Sequence, residues 1–136
     1  MSIFNSLFGS EKKREINGEI NLMEAIKAHI DWKIRLQKCL EGTSEEKLDA
    51  AVVCRDDQCK LGKWIHGPAQ HHFGGEDAYH SLREDHANFH LVAGKIVTHV
   101  HSGEHEVAGG LMENEYKQAS LKVVLTLAEL NSELAL

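Results

Sequence analysis

The chain has 136 residues, of which 42% are hydrophobic, and this is enough for one domain with a sizeable core. Its formal net charge of −6 argues against binding to nucleic acid or to an anionic membrane, because phosphate affinity requires clustered Lys and Arg. No stretch has the roughly 18 apolar residues that a membrane span needs. A single proline and few β-branched runs favour an all-helical chain.

The cysteines indicate the cellular compartment of the protein, and the N-terminal segment indicates where its domain begins. Three cysteines, with no signal peptide, predict free thiols in a reducing cytoplasm and not a disulfide framework. Residues 1–15 combine a small apolar patch with a charged run, and we expect them to form a flexible tail. Residues 16–136 are expected to form one helical domain.

Apolar residues at spacings of three and four predict three long helices, over residues 17–40, 76–101 and 104–134. Asn21 is a candidate N-cap within the first of them, after a frayed turn, and Gly42 is its expected C-cap. The last helix also carries a second apolar strip on its outer side. A helix that is apolar on more than one face suggests burial against a partner subunit as well as the domain's own core.

Shorter elements are expected between the first two long helices. Residues 43–46 have the pattern of a capping box that begins a short helix. Residues 60–65 predict another short helix, with Cys59 in its first turn, and residues 71–75 predict a loop. Together these elements predict an all-α, four-helix-bundle-like fold with an additional short helix that carries the cysteine.

Two histidines on the second long helix are candidate metal ligands. His86 and His90 are four residues apart, which places their imidazoles about 6 Å apart on one face of a helix. They lie within or beside the apolar stripe and should point into the core. A buried imidazole needs a partner for each ring nitrogen, and a metal ion together with a carbonyl or carboxylate acceptor supplies both. The alternative is one exposed histidine and one hydrogen-bonded core histidine.

Two further candidate ligands lie on other segments. His29 interrupts the apolar face of the first long helix, and Cys59 lies at the start of the short element. In a helical bundle these two side chains can converge with the histidine pair, and three imidazole nitrogens with one thiolate suit tetrahedral Zn²⁺. Zinc-finger spacing is absent, so the tertiary fold would have to assemble the site.

Three elements of the sequence resemble the chemoreceptor zinc-binding (CZB) domain of bacterial signalling proteins: Ala-His29-Ile-Asp-Trp32, Cys59-Lys-Leu-Gly62-Lys-Trp64-Ile and His86-x-x-x-His90. The cysteine element is the family's most specific signature, and it is complete here. The resemblance covers roughly residues 20–132. It implies a helical bundle, a homodimer and one bound zinc ion. The zinc ligands that it implies are His29, Cys59, His86 and His90.

The resemblance also implies a role in signal transduction. Family members regulate an attached or partner output module, such as a chemoreceptor signalling domain or a diguanylate cyclase. Because no such module accompanies the domain here, we expect a stand-alone domain that passes its signal to a protein partner. The resemblance further implies sensing of oxidants, including hypochlorous acid, through the zinc-bound cysteine. Four protein ligands leave no position for an activated water, so we do not expect an enzyme.

Two alternative functions remain open. A hemerythrin-like oxygen-binding bundle also uses histidines four residues apart, but its di-iron site needs about five histidines and bridging carboxylates that face one cavity. A zinc buffer without a partner would use the same four ligands. Two accessory features are also open. Cys54 is a candidate resolving thiol, and His99, His101 and His105 are a candidate second, weaker metal site.

Overall fold

A computed structural model describes residues 9–135, and all the regular secondary structure in this range is helical. The long helices pack side by side, with α2 and α6 both against α8, and this confirms the predicted helical bundle. None of the described helices is both long enough and apolar enough to cross a bilayer. The eight helices of the described residues are α1 (Ser10–Glu19), α2 (Leu22–Glu41), α3 (Ala50–Val53), α4 (Lys60–Ile65), α5 (Pro68–Phe73), α6 (Asp77–His101), α7 (His105–Glu113) and α8 (Glu115–Glu133).

The first predicted long helix is in fact two helices, α1 and α2. Asn21 lies between them in an extended conformation, and its side chain accepts a hydrogen bond from the Glu24 N–H at 3.1 Å. The predicted N-cap is therefore confirmed, but the continuous helix from residue 17 is wrong, because this side chain replaces a backbone acceptor and starts a new helix. Gly42 ends α2 in the left-handed region (φ 76°), as predicted.

Helix α1 begins within the segment that was predicted to be a flexible tail. It starts at Ser10, and its Ile16 is fully buried. The side-chain amide of Asn17 donates to the Leu134 carbonyl at 3.0 Å, which joins α1 to the end of α8. The expected boundary at residue 16 thus falls inside a helix. The apolar patch that was predicted at the N-terminus falls on residues 1–8, outside the described residues.

The predicted capping box at residues 43–46 does not begin a helix. Glu46 instead accepts hydrogen bonds from Nε and Nη2 of Arg35 on α2, at 3.0 and 2.8 Å, and Ser44 donates to the Glu46 carbonyl. The N-cap of α3 is Asp49, whose side chain accepts a hydrogen bond from the Ala51 N–H. A tertiary ion pair therefore uses the carboxylate that the local pattern assigned to a cap.

Two more predicted elements are wrong, whereas α4 and α6 occur as predicted, to within one residue. Residues 71–75 were expected to be a loop, but Pro68 occupies the first position of α5, where its missing N–H costs nothing. The last helix is interrupted at Asn114 (φ −118°, ψ −82°), whose side-chain amide donates to the Gly110 carbonyl. The interruption divides that helix into α7 and α8.

The core is continuous from α1 to α8, and α3 packs closely on α6 within it. A Cβ added at Gly94 of α6 would lie 2.6 Å from the Cβ of Cys54, so the absence of a side chain permits this approach. The largest fully buried side chains of α6 and α8 are Tyr79, Leu82, Phe89, Ile96, Tyr116, Leu127 and Leu130.

Candidate metal centre

The three candidate histidines and the candidate cysteine come together inside the bundle. His29 projects from α2, the other two histidines from α6, and Cys59 immediately precedes α4. One ligand atom of each residue lies within 4.8 Å of the others. The Nε2 atoms of His29 and His86 are 3.2 Å apart, and Cys59 Sγ lies 3.4 Å from His86 Nε2 and 3.6 Å from His90 Nε2. The structure thus places four donor atoms around one point.

Backbone carbonyls orient two of the three imidazoles. His29 Nδ1 donates to the Ala25 carbonyl, one turn earlier in α2, at 2.7 Å. His90 Nδ1 donates to the Val53 carbonyl of α3 at 3.0 Å. Because a carbonyl oxygen can only accept, Nδ1 carries the proton in both rings and Nε2 presents its lone pair to the centre. This is the tautomer that binds a metal through Nε2.

The third imidazole, His86, has no such acceptor. Its Nδ1 is buried and has no hydrogen-bond partner within the described part of the chain. The ring is held by packing against His29 and His90, whose ring centroids lie 5.1 and 4.6 Å away. The orientation of His86 therefore depends on its neighbours in the cluster more than on the backbone.

Burial keeps all three imidazoles uncharged at neutral pH. Each is at most 3% exposed. Desolvation lowers the pKa of His29 and His90, and desolvation reinforced by the other two imidazoles lowers the pKa of His86 to about 2. His86 Nε2 lies 3.2 Å from His29 Nε2, so a neutral His86 with its proton on Nε2 donates a hydrogen bond to His29 in the metal-free chain. All three imidazoles are therefore neutral, as metal binding requires, and His86 needs only the tautomer with its proton on Nδ1 to present Nε2 to a metal.

Cys59 is the N-cap of α4, one residue before the turn in which it was predicted. Its Sγ accepts a hydrogen bond from the Gly62 N–H at 3.3 Å. Burial nevertheless outweighs the hydrogen bonds of the helix start and raises the pKa of the Cys59 thiol. The thiol is thus protonated at neutral pH in the metal-free chain, and a bound cation would displace its proton.

Gly62 allows the turn before α4 to close on the helix. A Cβ at this position would lie 1.7 Å from the Asp56 carbonyl oxygen, so no other residue fits without moving the backbone. His66 Nε2 donates to the Asp56 carboxylate at 2.8 Å and closes the same turn from the other end of α4. The position of Cys59 therefore depends on close backbone packing between residues 55–58 and α4.

Two clefts reach the cysteine from the surface. One has a volume of about 720 Å³ and includes His29 and Cys59 in its lining. The other, of about 390 Å³, includes Trp32, Cys59 and His90. Cys59 is half-buried, whereas the histidines are almost fully buried. The sulfur is thus the most accessible donor of the cluster.

The second predicted histidine cluster is not assembled. His99 Nδ1 lies 3.0 Å from a carboxylate oxygen of Glu104, but within residues 9–135 no set of three ligand atoms forms there with His101 or His105. The candidate metal site at this turn is therefore not supported by the described residues. Cys54 is half-buried and lies outside the cluster of four, and its role as a resolving thiol stays a prediction.

The groups that surround the cluster were not among the predicted site residues. The Ala25 carbonyl was available from helix geometry, since it lies one turn before His29. The contact of the Val53 carbonyl with His90 could not be predicted from the sequence, because it depends on how α3 packs against α6. Trp32 lies near the cluster with its ring centroid 6.4 Å from that of His90. Backbone acceptors cannot be recognised from residue types, so only the structure identifies them.

The sequence profile of the chemoreceptor zinc-binding domain family matches residues 29–97, which is half of the chain. The chain belongs to this family. No curated protein and no solved structure matches it. The matched segment of this chemoreceptor zinc-binding domain contains all four members of the cluster, whereas α1, α7 and α8 lie outside it.

The donor set fits the metal for which the family is named. Three imidazole nitrogens and one thiolate match the ligands and the coordination number of structural zinc. No carboxylate belongs to this cluster within the described residues, so it lacks the oxygen ligands that Ca²⁺ and Mg²⁺ require and the bridging groups of a di-iron centre. The hemerythrin-like alternative is therefore not supported.

Proposed function

We propose that this domain binds one Zn²⁺ ion and regulates a bacterial signalling pathway. The observation that carries the proposal is the convergence of three imidazole nitrogens and one sulfur within 4.8 Å in the core. The proposed ligands are His29, Cys59, His86 and His90. Because four protein ligands complete a tetrahedral shell and leave no site for an activated water, the proposed role is regulatory and not catalytic.

Cys59 is the ligand through which the site would respond to a signal. The histidines are on the long helices α2 and α6, whereas Cys59 begins a helix of six residues with turns on both sides. Hypochlorous acid would reach the sulfur through the clefts. It transfers its OH group to the thiolate, which becomes a sulfenic acid, and chloride is released. The neutral sulfenic acid is a weaker ligand, so oxidation would free α4 from the histidines. The proposed signal is therefore an oxidant that reacts with Cys59, or zinc itself, whose binding places the same sulfur.

A movement of Cys59 would be transmitted through α4. Trp64, one helical turn further along, is 3% exposed and packs against Phe73 of α5 with ring centroids 5.8 Å apart. The short helices α4 and α5 are therefore the segment that we expect to shift when the sulfur leaves the metal. The long helices would keep their packing.

Stoichiometric hypochlorous acid is expected to oxidise Cys59, release zinc and change the circular dichroism spectrum of the zinc-loaded protein. Mass spectrometry of the cysteine peptide and a chromogenic zinc chelator measure the first two effects. A Cys54→Ser variant should release zinc to the same extent, and a disulfide seen only in the wild type would identify Cys54 as the resolving thiol. Oxidation of Cys59 with zinc retained and an unchanged spectrum would contradict the sensing mechanism.

We also propose a homodimer that buries the outer face of α8. Leu121 and Leu125 are 57% and 59% exposed and lie one turn apart on that face. Helix α2, which packs beside α8, adds the exposed apolar side chains Met23, Ile30 and Ile34.

A Leu125→Glu variant is expected to be monomeric, because it places a charge in the proposed interface. Light scattering after size-exclusion chromatography measures the mass. Val107→Glu is the matched control, since Val107 is 46% exposed but lies on α7. A dimeric Leu125→Glu protein, or a monomeric wild type at micromolar concentration, would show that α8 is not the interface.

The proposed output is a chemoreceptor signalling domain or a diguanylate cyclase. The core continues from Ile16 to Leu134, so we propose that the domain comprises residues 16–136 together with the start of α1, and not only the segment that the family profile matches. The three cysteines are all unpaired, which fits a cytoplasmic setting. A pull-down with and without chelator distinguishes this role from a zinc buffer, because a buffer would capture no protein in a zinc-dependent way.

A further inference from the structure

A second cluster of ligand-type side chains lies between α1 and α5, apart from the proposed zinc site. Glu15 and Glu19 are one turn apart on α1, and His72 is on α5. One ligand atom from each lies within 4.8 Å of the others. We propose that these three side chains bind a second divalent transition-metal ion, with water completing its coordination shell.

His72 and Glu19 are held in position by the surrounding structure. The side chain of His72 is 3% exposed, and its Nε2 lies 2.9 and 3.0 Å from the two carboxylate oxygens of Glu19. Trp64 Nε1 donates to the same carboxylate at 3.1 Å, and Lys12 Nζ donates to the His72 backbone carbonyl at 3.1 Å. The Trp64 hydrogen bond orients the Glu19 carboxylate in the way that outer hydrogen bonds orient metal ligands, and burial holds the His72 ring beside it.

The ion pair between His72 and Glu19 accounts for those two side chains, but it does not account for the position of Glu15 beside them. Its carboxylate has no hydrogen-bond or ion-pair partner among residues 9–135. It lies close to a second carboxylate, and the two negative charges repel each other. A divalent cation between them removes that repulsion and gives Glu15 a partner.

The donor types indicate which ions the site would accept. Imidazole with two carboxylates suits Zn²⁺ or Ni²⁺, whereas Mg²⁺ and Ca²⁺ prefer shells made only of oxygen. The site has no thiolate and only three protein donors, so it should bind zinc more weakly than the cluster in the core. A bound ion would join α1 to α5 and, through the Trp64 contact with Glu19, to the helix that begins at Cys59.

Isothermal titration of Zn²⁺ into protein that already holds one equivalent tests this site. Wild type is expected to bind a further equivalent, and Glu15→Gln should weaken that step at least about tenfold. Glu11→Gln is the matched control, because Glu11 is an exposed glutamate one turn earlier on α1. Since Glu15 has no partner among residues 9–135, its substitution should leave the melting temperature of the metal-free protein unchanged. Millimolar Mg²⁺ should not displace the second Zn²⁺.

Two results would overturn the second site. One is the absence of a further equivalent in the wild type. The other is second-step binding that is equal in Glu15→Gln and wild type, as expected for zinc held adventitiously by exposed histidines such as His71 or His80. The two metal proposals fail separately, because Cys59→Ala affects only the first equivalent and Glu15→Gln only the second.

Discussion

Replacing Cys59 with alanine is expected to lower zinc affinity about 100-fold or more. Structural zinc sites bind with apparent free energies of about 10–16 kcal/mol, so one of four ligands contributes roughly 3 kcal/mol. Titration against a competing chelator measures the change. Cys54→Ala is the matched control, because Cys54 is also half-buried but lies outside the cluster. Equal zinc affinity of Cys59→Ala and wild type would show that Cys59 is not a zinc ligand.

Wild type and Cys59→Ala should also differ in how their zinc affinity depends on pH. Burial raises the pKa of Cys59, so the thiol holds its proton at pH 7 and binding zinc must release it. Burial lowers the pKa values of the three histidines, which are already neutral and release no proton. Wild-type affinity should therefore rise about tenfold per pH unit above neutrality, and that of Cys59→Ala should stay nearly constant. Calorimetry in buffers of different ionisation enthalpy counts the released protons.

Replacing Gly62 with alanine is expected to cost about 3 kcal/mol of stability and to weaken zinc binding as well. The added Cβ would lie 1.7 Å from the Asp56 carbonyl oxygen, a backbone atom that cannot rotate away. The turn before α4 would have to move, and Cys59 would move with it. Urea denaturation of the metal-free protein and a zinc titration measure the two effects.

Gly109→Ala is the control for that substitution. Gly109 is also in a helix, α7, but a Cβ there would meet nothing within 4 Å. Alanine at such a position should stabilise the protein by about 0.5–1 kcal/mol, because it reduces the freedom of the unfolded chain. A Gly62→Ala protein that is as stable as Gly109→Ala and binds zinc like the wild type would show that the close approach at α4 is not needed.

Local patterns were sufficient where neighbouring residues decide the structure. The spacing of apolar residues predicted α6 almost to its ends, and Asn21 and Gly42 cap α2 as expected. The local pattern was misleading at Glu46, which matched a capping box but pairs with Arg35, eleven residues away along the chain. A carboxylate that can either cap a local helix or pair with a distant cation has a partner that only the fold identifies.

Residue types were enough to predict the candidate zinc ligands, since the basicity of an imidazole and the softness of a thiolate belong to the residue type. The four-residue spacing of His86 and His90 also placed that pair on one helix face. The packing of the helices fixes which carbonyls orient the rings, and it buries the Cys59 thiol so that its pKa is raised. It alone brought Glu19 against His72, 53 positions further along the chain. Such distances depend on how helices pack, and packing is a property of the whole chain that no local pattern contains.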